Sequence, residues 1–164
     1  MDHEEIPITK GVRLLREKKI EFRPYFYRYE DHGGTTRAAV ELGAPEHAVV
    51  KTLVMETDAK KPFLVLMHGD REVSTKQLAR ILGVKSVSPC DVAVAQRHTG
   101  YQVGGISPFG TRSPLPVYAE KGIFALPRIW INGGRRGFLV EVAPEDLRKA
   151  FQVREVEVAI IDQV

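Results

Sequence analysis

The stretch Gly100-Tyr101-Gln102-Val103-Gly104-Gly105-Ile106-Ser107-Pro108-Phe109-Gly110 places four glycines and one proline in eleven positions. That is too much backbone freedom for a helix or a central strand. Tyr101, Val103, Ile106 and Phe109 are threaded between the glycines, so the stretch is not a solvated linker. Two readings stay open. One is a loop folded on the core with N–H groups turned outward, suited to a ligand carbonyl or phosphate oxygen. The other is a glycine-rich structural turn between strands. A second cluster, Asn132-Gly133-Gly134-Arg135-Arg136-Gly137, follows roughly thirty residues on, and strands between the two can bring both to one place.

Working outward, Arg128–Asn132 and Phe138–Val142 flank the second cluster as a hairpin. Upstream, Val49–Met55 reads as a strand whose one charge is Lys51, and Pro62–His68 pairs with it across Thr57–Lys61. Burying an ammonium is costly unless it is paired. Lys51 is therefore either in a pocket wall, holding an anionic or carbonyl group, or a strand-edge lysine snorkelling to water. Near the start, Thr9 caps a helix with Val12, Leu14, Leu15 and Ile20 on its apolar side. Its basic residues Lys10, Arg13, Arg16, Lys18 and Lys19 read as a nucleic acid contact or as a solvated face. Phe22–Tyr29 is strand-forming and broken by Pro24, which predicts an edge position, with Tyr29 placed to point its hydroxyl into a pocket.

Thr35 or Thr36 is expected to cap a helix closing at Gly43, and Ser74 one closing at Gly83. Ser88-Pro89 is expected to start a helix that ends at Gly100, after a short strand at Val84–Val87. Pro144 opens the last helix, and Val153–Ile160 reads as an edge strand.

A chain of 164 residues, 43% of them hydrophobic, suits one domain over 1–164 with a buried core. The net charge of +3 tolerates an anionic partner without demanding one. No apolar run reaches membrane-spanning length, and residues 1–10 lack a signal-peptide pattern. The single cysteine, Cys90, rules out an internal disulfide and fits a cytoplasmic setting. His3, His32, His47, His68 and His98 form no HxH or HxxxH pair, and neither a CxxC, a GxSxG nor a Walker pattern occurs, so no metal and no cofactor is expected. Cys90 follows Pro89 and precedes Asp91, whose charge opposes thiolate formation, which marks a structural thiol.

The ordered set Val50-Lys51-Thr52-Leu53-Val54, then Thr99–Gly110, then Asn132–Gly137 resembles the YbaK/EbsC family. These are free-standing aminoacyl-tRNA deacylases similar to the editing insertion of bacterial prolyl-tRNA synthetase. The resemblance implies an α+β fold: a mixed, strongly twisted, partly barrel-like sheet flanked by helices. It implies hydrolysis of a misacylated tRNA, Cys-tRNA(Pro) or a related small-amino-acid tRNA. The partners implied are aminoacyl-tRNA and prolyl-tRNA synthetase, with no membrane and no DNA. The family's lysine falls on Lys51 and its ester-facing glycine on Gly104, the implied catalytic pair. Tyr29, Gly105, Ile106, Ser107, Asn132 and Gly133 are the implied substrate contacts. Lys76, Arg80, Arg135 and Arg136 are candidates for the acceptor stem. Members acting on cysteine carry an aspartate where this chain has Leu139, and the turn at His32–Thr36 departs from the cysteine pattern too. A different class of function with the same fold is a non-catalytic binder of aminoacyl-tRNA or of a synthetase.

Overall fold

The computed structural model describes residues 5–161; His3 and both ends of the 1–164 span lie outside them. Its axis is strand β2 (Val49–Thr57), which pairs antiparallel with β3 (Pro62–His68) as the hairpin pattern predicts. The second expected hairpin joins β7 (Ile129–Arg135) to β8 (Phe138–Val142), with a bulge between Asn132 and Arg135. Strand β1 (Arg23–Phe26) pairs with β8 at the sheet's end, so Pro24 does occupy an edge. The other end is built by parallel pairing of β3 with β6 (Val117–Glu120) and of β6 with β9 (Val153–Val156). The sheet is mixed and open, running β1-β8-β7-β2-β3-β6-β9, with β5 (Val87–Pro89) attached to β2. A two-stranded ribbon of β4 (Glu72–Val73) and β10 (Ala159–Ile160) stands apart from it.

Alternation along β2 sends its side chains to two cores. Val50 and Val54 pack with Leu64, Leu66, Ile129, Ile131 and Val140, under Val12 and Leu15 of helix α1 (Lys10–Glu17). Leu53 and Met55 join Phe63, Val65 and Met67 beneath Leu78 and Ala79 of α3 (Thr75–Leu82). Val49 and Leu139 meet Ala38 and Ala39 of α2 (Gly34–Leu42). Thr9 caps α1 as expected, its hydroxyl accepting from the Val12 N–H, and it also donates to the Gly133 carbonyl at 2.6 Å. That second bond ties the helix start to the turn between β7 and β8.

Two helix starts differ from expectation. Helix α2 begins at Gly34, and neither threonine caps it; both hydroxyls donate instead to the Glu46 carboxylate, at 2.9 and 2.8 Å. A charged acceptor from the following turn wins over the helix's own N–H groups. Ser88 and Pro89 belong to a strand, because β5 pairs with Met55–Thr57, and α4 (Val92–Thr99) starts only after Asp91. Pro89 sits where a strand meets its end, a position that needs no ladder N–H. Helix α5 is the short Leu147–Ala150.

Candidate active site

On the edge opposite β3, β2 pairs with β7 over Val49–Val50 and with β5 over Met55–Thr57. Between them, Lys51 to Leu53 have no strand beside them. A cavity of about 560 Å³ opens at this gap, within the range of small-ligand sites. Because it reaches past a strand edge, residues from both faces of β2 line it: Val50 and Thr52 from one, Val49 and Lys51 from the other. Helix α2, helix α4, the Tyr27–His32 segment and the loop after Gly100 close the remaining walls.

The structure brings Tyr29, Lys51, Gly104, Ile106, Asn132 and Arg136 to this one cavity. Lys51 is half-buried, and its ammonium pairs at 3.3 Å with the exposed carboxylate of Glu72. Its charge is thus held at the wall by a partner that water can replace. The half-buried thiol of Cys90 stands aside, its pKa pushed up to about 11 by partial burial, with Glu56 and Asp91 adding to the effect.

Gly104 stands exposed at the lip with φ +93°, a conformation that only glycine adopts readily. A Cβ there would lie 2.6 Å from the Tyr29 hydroxyl. The backbone around it is clamped from three sides. The Val103 N–H donates to Gln96 Oε1 at 3.0 Å, and Arg136 Nε donates to the Val103 carbonyl at 2.8 Å. Asn132 Nδ2 donates to the Gly104 carbonyl at 3.3 Å, while Asn132 Oδ1 accepts from the N–H groups of Gly134 and Arg135. Among the described residues, the Gly104 N–H has no acceptor. The guanidinium of Arg136 lies 4.8 Å from the Tyr29 ring centroid, so one arginine holds both the loop and the aromatic wall.

Other predicted contacts fall elsewhere. Gly105 is buried, its N–H donates to the Gln102 carbonyl at 2.8 Å, and a Cβ would strike the Arg136 backbone. It permits the loop to close on the β7–β8 turn. Ser107 is fully buried, its hydroxyl accepting from the Phe109 N–H. Gly133 gives its carbonyl to Thr9 and packs on Phe138. Lys76 and Arg80 lie on the exposed side of α3, and neither they nor Arg135 line this cavity.

Sequence reasoning passed over Thr52, Gln96 and Arg37. Thr52 lines the cavity with a buried hydroxyl that has no partner among the described residues. The available signal was a second polar residue beside Lys51 in an apolar strand. Gln96 carries no such signal, since its role depends on a loop that returns to it. Leu139 is buried in the wall with Ala38 and Tyr27. Among the described residues no cluster of metal-ligating side chains occurs, and no helix is long and apolar enough to cross a membrane.

Comparison with known proteins gives a consistent picture. The aminoacyl-tRNA editing domain family matches residues 31–150. The "Putative Cys-tRNA(Pro)/Cys-tRNA(Cys) deacylase EbsC" of Enterococcus faecalis is 30% identical over 138 residues, covering 84% of each chain. The proline–tRNA ligase of Desulfovibrio desulfuricans is 38% identical over 79 residues, which is 48% of this chain and 13% of the ligase. Among solved structures, a "putative trans-editing enzyme for prolyl tRNA synthetase" superposes with a TM-score of 0.80 at 20% identity, covering 94% of this chain and all of that one. The cavity between β2, α4 and the two glycine loops therefore sits in the fold of the aminoacyl-tRNA editing domain family, to which this chain belongs.

Proposed function

We propose that this chain is an aminoacyl-tRNA deacylase acting in trans, and that its substrate is Cys-tRNA(Pro) or a related tRNA carrying a small amino acid. One observation carries the reading: the Gly104 N–H is left without an acceptor at the cavity lip while Gln96, Arg136 and Asn132 hold the peptide groups around it. An amide held this way is a preorganised donor for charge that develops on an ester carbonyl. Arg136 sharpens the donor, because its bond to the Val103 carbonyl polarises the same peptide unit.

An aminoacyl ester is already activated, so orientation and oxyanion stabilisation suffice without an enzyme nucleophile. Water, or the thiol of a cysteinyl substrate, attacks the carbonyl carbon. The oxyanion meets the Gly104 N–H, and collapse releases the ribose oxygen, which takes up the proton given by the nucleophile. Lys51 binds the terminal ribose-phosphate region at the gap beside β2, between β7 and β5. Leu139, Ala38 and Tyr27 give the wall an apolar surface, and the Thr52 hydroxyl offers one polar contact to the amino acid. Discrimination by size alone is limited to about 1–3 kcal/mol per methylene, so a short series of small amino acids is accepted. The test is a deacylation panel of tRNA(Pro) and tRNA(Cys) charged with cysteine, alanine, serine and proline. Hydrolysis of a small mischarged residue with proline spared supports the reading. Binding of every substrate without hydrolysis favours the non-catalytic binder.

A further inference from the structure

A second recess of about 580 Å³ adjoins the first and shares Tyr27 and Arg136 with it. Arg28 and Arg135 line it, both exposed, and among the described residues neither guanidinium has a hydrogen-bond or ion-pair partner. Two carboxylates are present as well. Glu41 is already engaged, pairing with Arg37 Nε at 2.9 Å and accepting from the Arg28 N–H at 3.2 Å. Glu5 lies exposed at the rim. The floor is aromatic: Phe26 stacks on the buried Phe138 with ring centroids 5.4 Å apart, and Tyr27 stands at the junction with the cavity. Burial, with Tyr29 and Glu41 nearby, holds the Tyr27 phenol above its ordinary pKa, so it stays neutral.

We infer that this recess binds the nucleotides immediately before the esterified one, with Arg28 and Arg135 on their phosphates and Phe26 and Tyr27 beside a base. The inference rests on the proposed ester site at Gly104, since the shared residue Arg136 fixes where the chain leaves the cavity. Two unpaired guanidinium groups flanking an aromatic floor match the requirements of single-stranded nucleic acid, a charged track plus stacking faces. Arginine's planar fork also suits phosphate oxygens. The recess gives Arg135 a role on the single-stranded end in place of the acceptor stem.

The test compares the parent protein with Arg28→Ala/Arg135→Ala, after thermal melting shows that both are folded. Binding is measured for adenosine, for the unacylated trinucleotide 5′-CCA and for inorganic phosphate, so that no turnover is needed. The expected result is that the trinucleotide binds the parent at least ~10-fold more tightly than adenosine does, and that the double variant loses this advantage. The slope of log affinity against log salt should shrink by about 1.4, two contacts at roughly 0.7 each. An unchanged advantage and slope in the variant overturn the inference. So does a parent protein that binds phosphate as well as it binds the trinucleotide, which would mark a plain anion site. A kinetic arm then uses an aminoacyl-adenosine and the same ester on CCA. If the parent cleaves neither, the deacylase reading fails while the binding result still decides the recess. If it cleaves both, the variant should lose its preference for the longer ester.

Discussion

Replacing the Val103–Gly104 amide by an ester, through glycolate at position 104, removes one N–H and leaves every side chain in place. That N–H has no acceptor among the described residues, and the exchange otherwise only weakens the Val103 carbonyl as acceptor for the exposed Arg136 Nε, so it costs the fold little. Its loss should instead appear in the reaction, since deleting one oxyanion donor typically lowers the rate on the order of 10²–10³, about 2.7–4 kcal/mol. Gly104→Ala supplies the contrast. It keeps the N–H but forces φ +93° on a residue with a Cβ, at about 1–2 kcal/mol. It also sets that Cβ 2.6 Å from a Tyr29 hydroxyl whose ring is braced by Arg136. The alanine variant should therefore lose melting temperature as well as rate, and the ester variant only rate. Gly104→Pro is a poor probe, because proline's fixed φ near −65° cannot reach the left-handed region. The assay is single-turnover hydrolysis of aminoacyl-tRNA at saturating protein, with melting curves alongside. An ester variant that reacts at the parental rate would refute the reasoning and leave residues 100–110 as a structural turn.

Lys51→Ala should cut single-turnover deacylation on the order of 10–100-fold, the equivalent of one charge-assisted hydrogen bond at about 1.5–3 kcal/mol. Its melting temperature should barely move, because the lost partner Glu72 is exposed; a parental rate removes Lys51 from the site. Cys90→Ser should keep full activity, and the native thiol should alkylate slowly at neutral pH, since its pKa of about 11 leaves it protonated; rapid alkylation or lost turnover contradicts this. Burial pushes the His68 imidazole below its ordinary pKa, against the opposing hydrogen bond to the His47 carbonyl. The unfolded chain then takes up a proton that the folded one refuses, so stability should fall as pH drops below about 6.5. Calorimetry from neutral to mildly acidic pH should show the fall, and His68→Gln should flatten it; a flat profile in the parent sinks the account.

What the sequence made legible was local. Thr9 and Ser74 cap their helices because a side-chain oxygen and an N–H three residues on are all the bond requires. The β2–β3 and β7–β8 hairpins follow from runs joined by short turns, and Pro24 marks an edge from its own chemistry. The parallel pairings of β2 with β7, β3 with β6 and β6 with β9 join segments far apart in the chain, and no local pattern encodes them. The cavity is a consequence of one such pairing, since it opens where β7 leaves β2 before β5 arrives. Lys51 was readable as an anomalous charge in an apolar strand, and Gly104 through the order of the motifs. The division of labour within the glycine loop was not readable. Gly104, Gly105 and Ser107 look alike as loop residues, yet Gly104 is the exposed one at the cavity lip, with no acceptor for its N–H among the described residues, while the Gly105 N–H and the Ser107 hydroxyl hold the loop down. Lys76 and Arg80, expected at the acceptor stem, lie exposed on α3 away from the cavity, and charge on a helix says nothing by itself about which face of the sheet that helix covers.

The account's central claim is that an aminoacyl ester sits in this cavity with its carbonyl on the Gly104 N–H. A stable amide analogue of 3′-aminoacyl-adenosine, titrated into isotopically labelled protein, tests this without any turnover. The account predicts that the Gly104 amide resonance shifts most strongly downfield on binding, while that of Gly105, already bonded to the Gln102 carbonyl, stays nearly still. Saturable binding that leaves the Gly104 resonance in place would contradict it.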